Sequence, residues 1–410
     1  MVERRELLIK RLGAQGDGVA EGEVGAVFVP FTLPGERVAV DVGGERGRLV
    51  QVIEPSPSRV EPVCQHFGVC GGCSVQHISG EAYREWKREL VRSAFAARGL
   101  SADVNELIGL SGKRRRAVFS VERTEDGVAL GFHEAASHAL VAIAECPVLE
   151  PKIVATLPSL AALIGPLISK RGEARLIVTQ TKSGLDVQLT GIERRLTPDV
   201  RSRLASAVSD LRLARFTVDN DVVVETLPPF LSFGPADVVL PPGSFVQAVA
   251  EAEGEIARRV VEAVGKVKTA ADLFCGVGAF TFPLAARAKV SAFDGDKSAI
   301  EALGAAVKKT SGLKPISARV RDLFREPLSA LELNEHDAIV FDPPRAGAEA
   351  QSQRLARSKV KTVVAVSCNP ATLARDARHL VDGGYKIESV TPVDQFVYSA
   401  HVEVVAVFRR

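Results

Sequence analysis

The chain has 410 residues, of which 46% are hydrophobic and 25% charged, with a formal net charge of +2. That length exceeds one compact core and points to about two or three domains; the composition excludes a disordered or fibrous chain, and any nucleic-acid partner must be argued from local basic segments rather than from total charge. No apolar run reaches the roughly 18 residues of a membrane helix, LPSLAALIGPLIS being short and broken, and MVERRELLIKRLG lacks the apolar core and cleavage site of an export signal, so a cytoplasmic protein with no membrane partner and a monomeric default is expected.

Residues 1–58 carry the alternating runs ELLIKRLG, GAVFVP, ERVAVDV and GRLVQVIE between glycine-rich turns, and lead into the proline-rich EPSPSRVEP. Period-two alternation between turns predicts a small OB-like antiparallel barrel followed by a linker, an architecture that often binds oligonucleotides but also serves inert modules.

Residues 59–240 read as a central α+β unit. An amphipathic helix, EAYREWKRELVRSAFAARG, precedes strand-like AVFSVE, EARLIVTQ, LDVQLTG and DVVVET, with a helical TPDVRSRLASAVSD among them. The run Lys113, Arg114, Arg115 and Arg116 supports an RNA partner, with a solvated loop as the alternative.

The six cysteines are Cys64, Cys70, Cys73, Cys146, Cys275 and Cys368. In a reducing compartment they serve as metal ligands, catalytic groups or buried fillers rather than disulfides. Cys64, Cys70 and Cys73 are spaced C-x5-C-x2-C, and Cys146 in AECPV lies far downstream. Such a set suits an iron–sulfur cluster; an all-cysteine zinc site is chemically possible, and His66 or His77 could stand in as zinc ligands.

From 241 to 410 strand-length runs alternate with helix-length or loop segments: TAADLF, KVSAFD, ISARVRD, HDAIVFD and KTVVAVS, then YKIESVTPVDQF and AHVEVVAVFRR. This pattern predicts an α/β doubly wound sheet with ligands at the carboxyl ends of its strands. In DLFCGVGAF, Gly276 and Gly278 allow a tight turn and close ligand approach, and Asp294 ends the next strand, placed to accept ribose hydroxyls. Thr281 stands where a dinucleotide fingerprint wants a third glycine, which argues against a pyrophosphate. Asp272, Asp294, Asp322 and Asp342 are expected on one rim, where carboxylates suit a sulfonium cation and an adenosine.

In VAVSCNPATLARD, Val363 to Ser367 reads as a buried strand, Asn369 as a helix N-cap and Pro370 as the first helical residue. Cys368 is then expected at a strand-to-helix turn, where free N–H groups and the helix dipole favour a thiolate; a buried filler is the alternative.

Together, C-x5-C-x2-C, DLFCGVGAF, FDPPRAG, SCNPATLARD and the terminal HVE resemble the RNA uracil-5-methyltransferases, which include bacterial 23S rRNA and tRNA (uracil-5-)-methyltransferases. The resemblance spans essentially the whole chain, and the N-terminal barrel is similar to the TRAM domain many of them carry. It implies a class I S-adenosylmethionine methyltransferase domain over 241–410, with Cys368 as nucleophile and Glu403 as general base. It further implies S-adenosyl-L-methionine contacts at Gln247, Phe274, Asp294, Asp322 and Asp342, and a 4Fe-4S cluster on Cys64, Cys70, Cys73 and Cys146 in a structural or RNA-related role. The chain departs from the family pattern at Ala248 and Val249, where Q-V-N is frequent, at Ala279 for asparagine and at Asp294 for glutamate.

The expected function is methylation of carbon 5 of a uridine in RNA, 23S rRNA before tRNA, with a non-catalytic iron–sulfur RNA-binding protein as the alternative. Carbon 5 of uracil is too weak a nucleophile alone, so a thiolate must add at carbon 6, and a base must then remove the carbon 5 proton. Asp342 and Arg345 are expected to hold the base or thiolate in place, and the target base must leave its stack to reach the sulfur.

Overall fold

The computed structural model describes residues 3–22, 25–125, 127–169, 174–192 and 196–410. Met1 and Val2 of the N-terminal stretch and Glu173 heading EARLIVTQ lie outside the described residues. No helix among the described residues is long and apolar enough to cross a membrane.

Five strands close the N-terminal barrel: β1 (Glu3–Leu12), β2 (Gly18–Glu21), β3 (Ala26–Val29), β4 (Arg37–Gly43) and β5 (Arg46–Glu54), in the order β1-β2-β3-β5-β4. The predicted barrel lacks β2, whose Gly18, Val19 and Ala20 are buried in succession and so show no alternation. The barrel core is small, formed chiefly by Ile9, Ala20, Val27, Val29, Val38 and Val40, so docking onto the rest of the chain supports it. Leu33 joins a larger core, and Arg59 from the linker pairs with the fully buried Glu36.

Helix α1 (Gly80–Ala96) buries Tyr83, Trp86, Lys87, Val91 and Phe95 on one face, as its amphipathic pattern requires. The short strand β6 (Ile108–Gly109) follows. The central sheet comprises β7 (Arg116–Thr124), β8 (Gly127–His133), β9 (Leu140–Ala142), β10 (Ala174–Gln180), β11 (Leu185–Thr190), β12 (Arg215–Val218) and β13 (Asp221–Glu225), ordered β13-β12-β11-β10-β7-β8-β9. Helices α2 (Pro151–Ile164) and α3 (Pro198–Asp210) contribute to its core.

A hairpin, β14 (Phe230–Phe233) and β15 (Ala236–Val239), then leads to α4 (Ala250–Val264) and the doubly wound unit. Its elements are β16 (Thr269–Leu273), α5 (Thr281–Ala285), β17 (Lys289–Asp294), α6 (Lys297–Lys309), β18 (Ile316–Val320) and α7 (Ala330–Leu333). They continue with β19 (Ala338–Phe341), α8 (Glu349–Ala356), β20 (Thr362–Ser367), α9 (Pro370–Asp382), β21 (Lys386–Asp394) and β22 (Glu403–Arg409). The sheet runs β18-β17-β16-β19-β20-β22-β21-β6, with β22 antiparallel to both neighbours. Strands β19 and β20 are buried throughout, which explains why they read as unbroken apolar runs rather than alternations.

By packing, residues 80–109 lie with this sheet rather than the central one: α1 packs against α9 and β6 pairs with β21. The hairpin β14–β15 likewise packs on α6. Sequence period reveals that a segment has an apolar face, not which partner covers it.

Candidate active site

The strand order reverses between β16 and β19, so the loops following the strands open a crevice at that switch point. A cavity of about 630 Å³ occupies it, and its lining includes Gln247, Phe274, Asp294, Asp322, Asp342, Cys368 and Glu403, all seven residues expected at a methyl-transfer site.

The glycine loop leaves β16 through Phe274, held at φ 60, and turns at Gly276 and Gly278, at φ 52 and φ 101. These left-handed conformations favour glycine, and a Cβ on Gly278 would also stand 2.7 Å from the Phe282 ring. The Gly276 N–H donates to Asp294 Oδ2 and the Asp296 N–H to Oδ1, both at 2.8 Å, so the loop and β17 fix that carboxylate together. Asp322 accepts the Phe324 N–H at 3.0 Å, and the Phe324 ring lies 5.3 Å from that of Phe274. Two aromatic rings and two carboxylates on one wall match the faces and hydroxyls of a nucleoside.

Asp272 departs from the expected rim. It is fully buried, is absent from the cavity lining, and accepts a 2.6 Å hydrogen bond from Thr281 Oγ1. Burial pushes its carboxyl up to about 7, with Asp342 and Asp294 adding to the rise. The threonine in place of a third glycine thus bonds one oxygen of a buried acid beneath the loop, whose Oδ1 has no partner among the described residues.

Cys368 follows β20, and the Asn369 side chain caps α9 by accepting the Ala371 N–H at 3.1 Å. The pairing of Ser367 with Val404 brings Glu403 beside Cys368, and the pairing of Phe341 with Ala365 brings Asp342 from the next strand. Burial raises the Glu403 carboxyl above its ordinary range, and Asp342 raises it further; burial also raises Asp342. The expected thiolate is not the resting form of Cys368. Burial, then Glu403 and Asp342, push the thiol up to about 11, outweighing Arg345 and the turn's own N–H.

Gln395, at the end of β21, was not singled out by sequence. Its Nε2 donates to Glu403 Oε2 at 2.6 Å and to Gln247 Oε1 at 2.7 Å, and Gln247 Nε2 donates to Asp342 Oδ2 at 2.9 Å. The two buried carboxyls are therefore joined through two amides. A lone glutamine in VDQF carries no periodic or motif signal that could have marked it.

A second cavity of about 620 Å³ lies between the barrel, α1 and the turn at Cys368. Arg11, Gln15, Trp86, Pro370 and His401 are among its lining residues, and among the described residues only Cys368 and Arg345 line both it and the first cavity. Arg345 bonds His401 Nε2 at 2.9 Å, and burial, with Arg345 next, lowers the imidazole to about 4, so the ring is neutral and accepts there. Arg345 therefore borders both cavities, paired to histidine rather than to the base.

The basic run is not a surface patch. Arg115 is buried, pairs with Glu253 at 2.5 Å and donates to the Gln247 carbonyl at 3.1 Å, which helps hold the cavity wall. Arg114 lines a third cavity of about 310 Å³, together with Cys64, Cys70, Cys73, Cys146 and His66. Burial raises the thiols of Cys70, Cys73 and Cys146, the last to about 11. Among the described residues no group of three or more histidine, cysteine, aspartate or glutamate side chains is placed to hold a metal ion, so the spacing brings the four cysteines to one cavity without forming an ion site. His77, unlike His66, does not line that cavity and is fully buried against Phe67 and Phe31.

The sheet order, the glycine loop and the carboxylate rim define a class I methyltransferase. A family model described as tRNA (uracil-5-)-methyltransferase matches residues 212–410. The chain is 46% identical to an uncharacterized RNA methyltransferase of Rhizobium meliloti, with 98% of each chain covered. It is 34% identical to the 23S rRNA (uracil(1939)-C(5))-methyltransferase RlmD of Chromohalobacter salexigens, over 97% of this chain and 87% of that one. The crystal structure of the Pyrococcus abyssi tRNA (uracil-54, C5)-methyltransferase in complex with S-adenosyl-L-homocysteine is similar over 98% of this chain and 100% of that one, with a TM-score of 0.76 and 25% identity. The chain belongs to the RNA (uracil-5-)-methyltransferase family.

Proposed function

We propose that the chain methylates carbon 5 of a uridine in RNA, using S-adenosyl-L-methionine, and that its substrate is 23S rRNA. The observation carrying this reading is that one thiol, Cys368, lines two cavities of similar volume and has Glu403 beside it in the first. The relative named for a 23S rRNA uridine is more similar, at 34% identity, than the structure named for a tRNA uridine, at 25%, which supports rRNA over tRNA.

S-adenosylmethionine supplies a methyl group on a sulfonium. Phe274 and Phe324 offer faces for its adenine, and Asp294 and Asp322 offer acceptors for its ribose and charge. The uracil enters from the cavity between barrel and α1, where Trp86 and Pro370 supply flat apolar surface and Arg11 a cation for the RNA backbone. Cys368 loses its proton to water and its thiolate adds to carbon 6, which makes carbon 5 nucleophilic; carbon 5 would then bond to the methyl group as the methyl–sulfonium bond breaks and S-adenosyl-L-homocysteine leaves. Glu403 then takes the carbon 5 proton, the C5–H electron pair restores the ring double bond, and the thiolate leaves. Sequencing for 5-methyluridine in a deletion strain is expected to show loss at one position of 23S rRNA; loss at a tRNA position instead would refute the rRNA assignment.

We further propose that Cys64, Cys70, Cys73 and Cys146 hold a 4Fe-4S cluster. Four thiols around one cavity suit a multi-iron cluster better than a single ion, whose ligands must converge on a point. The Arg114 guanidinium, whose buried Nε has no hydrogen-bond partner, lies beside them and complements an anionic group. The cluster would tie residues 64–73 to Cys146 and takes no part in methyl transfer. Anaerobic purification is expected to yield a brown protein with visible charge-transfer absorption that Cys146→Ser loses; a colourless protein with stoichiometric zinc would sink the proposal.

A further inference from the structure

The environment of Gln395 specifies more than its contacts. The side chain is 1% exposed, and its Oε1 accepts the Ala248 N–H at 3.1 Å. A backbone N–H can only donate, so the amide cannot be flipped, and its Nε2 must face Glu403 and Gln247. The backbone on either side is pinned by one buried ammonium: Lys87 Nζ donates to Asp394 Oδ1 at 3.1 Å and to the Phe396 carbonyl at 3.2 Å. Tyr83 Oη donates to the other oxygen of Asp394 at 2.6 Å. Glu403 Oε2 is engaged by Gln395, whereas no protein partner of Oε1 is found among the described residues. The carboxyl is thus held through one oxygen, with the other left for chemistry.

We propose that Gln395 is a positioning residue for proton abstraction: it holds Glu403 by Oε2 so that Oε1 takes the carbon 5 proton. The proposal rests on the reading of Glu403 as base. In the step, the C5–H bond breaks, its electron pair forms the C5–C6 double bond, the C6–Sγ bond to Cys368 breaks, and the proton resides on Oε1. Addition of the thiol and methyl transfer precede this step, and Gln395 reaches the donor side only through Gln247, so both RNAs are assayed at saturating methyl donor.

That separation makes the test. With ordinary uridine RNA and methyl donor, Gln395→Leu is expected to turn over about ten- to a hundredfold more slowly, the effect of losing a hydrogen bond to a charged group. It should accumulate a Cys368-linked, methylated RNA adduct on denaturing gels, as is also expected of Glu403→Gln. With 5-fluorouridine RNA, which has no carbon 5 proton, Gln395→Leu should form the adduct within about threefold of the wild-type rate, and this also shows that the variant is folded. Equal slowing on both RNAs without accumulation would overturn the role assigned to Gln395, as would normal turnover. If Glu403→Gln forms the 5-fluorouridine adduct but accumulates none on ordinary RNA, the base assignment itself falls, and the role of Gln395 with it.

Discussion

Cys368→Ala is expected to abolish 5-methyluridine formation, a loss on the order of 10⁴-fold or more, and to abolish the gel-stable adduct with 5-fluorouridine RNA. The loss is this large because no other thiol can substitute. Cys275, although in the glycine loop, is 7% exposed, with its thiol held well above its ordinary range by burial and by Asp272 and Asp294. Cys64, Cys70, Cys73 and Cys146 line a different cavity. Serine at 368 should fare no better, since a hydroxyl adds to carbon 6 far less readily than a thiolate. Methyl transfer from labelled donor is the measurement, and a variant retaining a tenth of wild-type activity would mean that another group is the nucleophile. The resting thiol, pushed up to about 11, also sets an order: deprotonation is favoured once a cation occupies the neighbouring cavity and offsets Glu403 and Asp342.

Glu403→Gln carries the second large effect, a fall in turnover of about 10²- to 10⁴-fold, the range for loss of a general base. The adduct should persist on ordinary RNA, since addition and methyl transfer remain possible. The pH dependence has a definite sign. Only the ionised carboxyl accepts a proton, and burial with Asp342 raises its pKa above the ordinary 4.5, so wild-type turnover should drop as pH falls through that raised value. The variant should lack this limb.

Stability changes in the opposite direction. A carboxyl whose folded pKa is raised contributes stability that is complete below its unfolded value and lost as pH rises through the folded one. Glu403 should therefore subtract stability from about pH 4.5 upward, so that wild type loses melting temperature relative to Glu403→Gln over that range. Thermal melts of wild type and variant across pH measure both, and identical slopes would mean that Glu403 is not buried as a charge-averse group.

Much of the site was legible because its signals are local. Gly276 and Gly278 mark a loop that needs positive φ, Asn369 and Pro370 mark a helix start, and unbroken runs such as TVVAVS mark strands covered on both faces. The barrel was legible from alternation, except for β2, whose first three residues are all buried. The basic run misled because charge in sequence carries no record of burial: Arg115 turned inward to Glu253 and the Gln247 carbonyl, and Arg114 to the cysteine cavity.

By itself the sequence determined which groups were available for the chemistry and the kind of turn on which each sits. Turns and caps depend on neighbouring residues, and the motif residues Cys368, Glu403 and Asp342 carry the family resemblance. Tertiary structure alone decided which groups meet and in what protonation state. Cys368 and Glu403 become neighbours through the antiparallel pairing of β20 with β22, and Gln395 reaches them from β21. The barrel completes a cavity with α1. Asp272 is sealed beneath the glycine loop, while Cys368, on the lining of two cavities, is kept a thiol by burial. Non-local pairing and desolvation depend on residues far apart in the chain, and no local period encodes them.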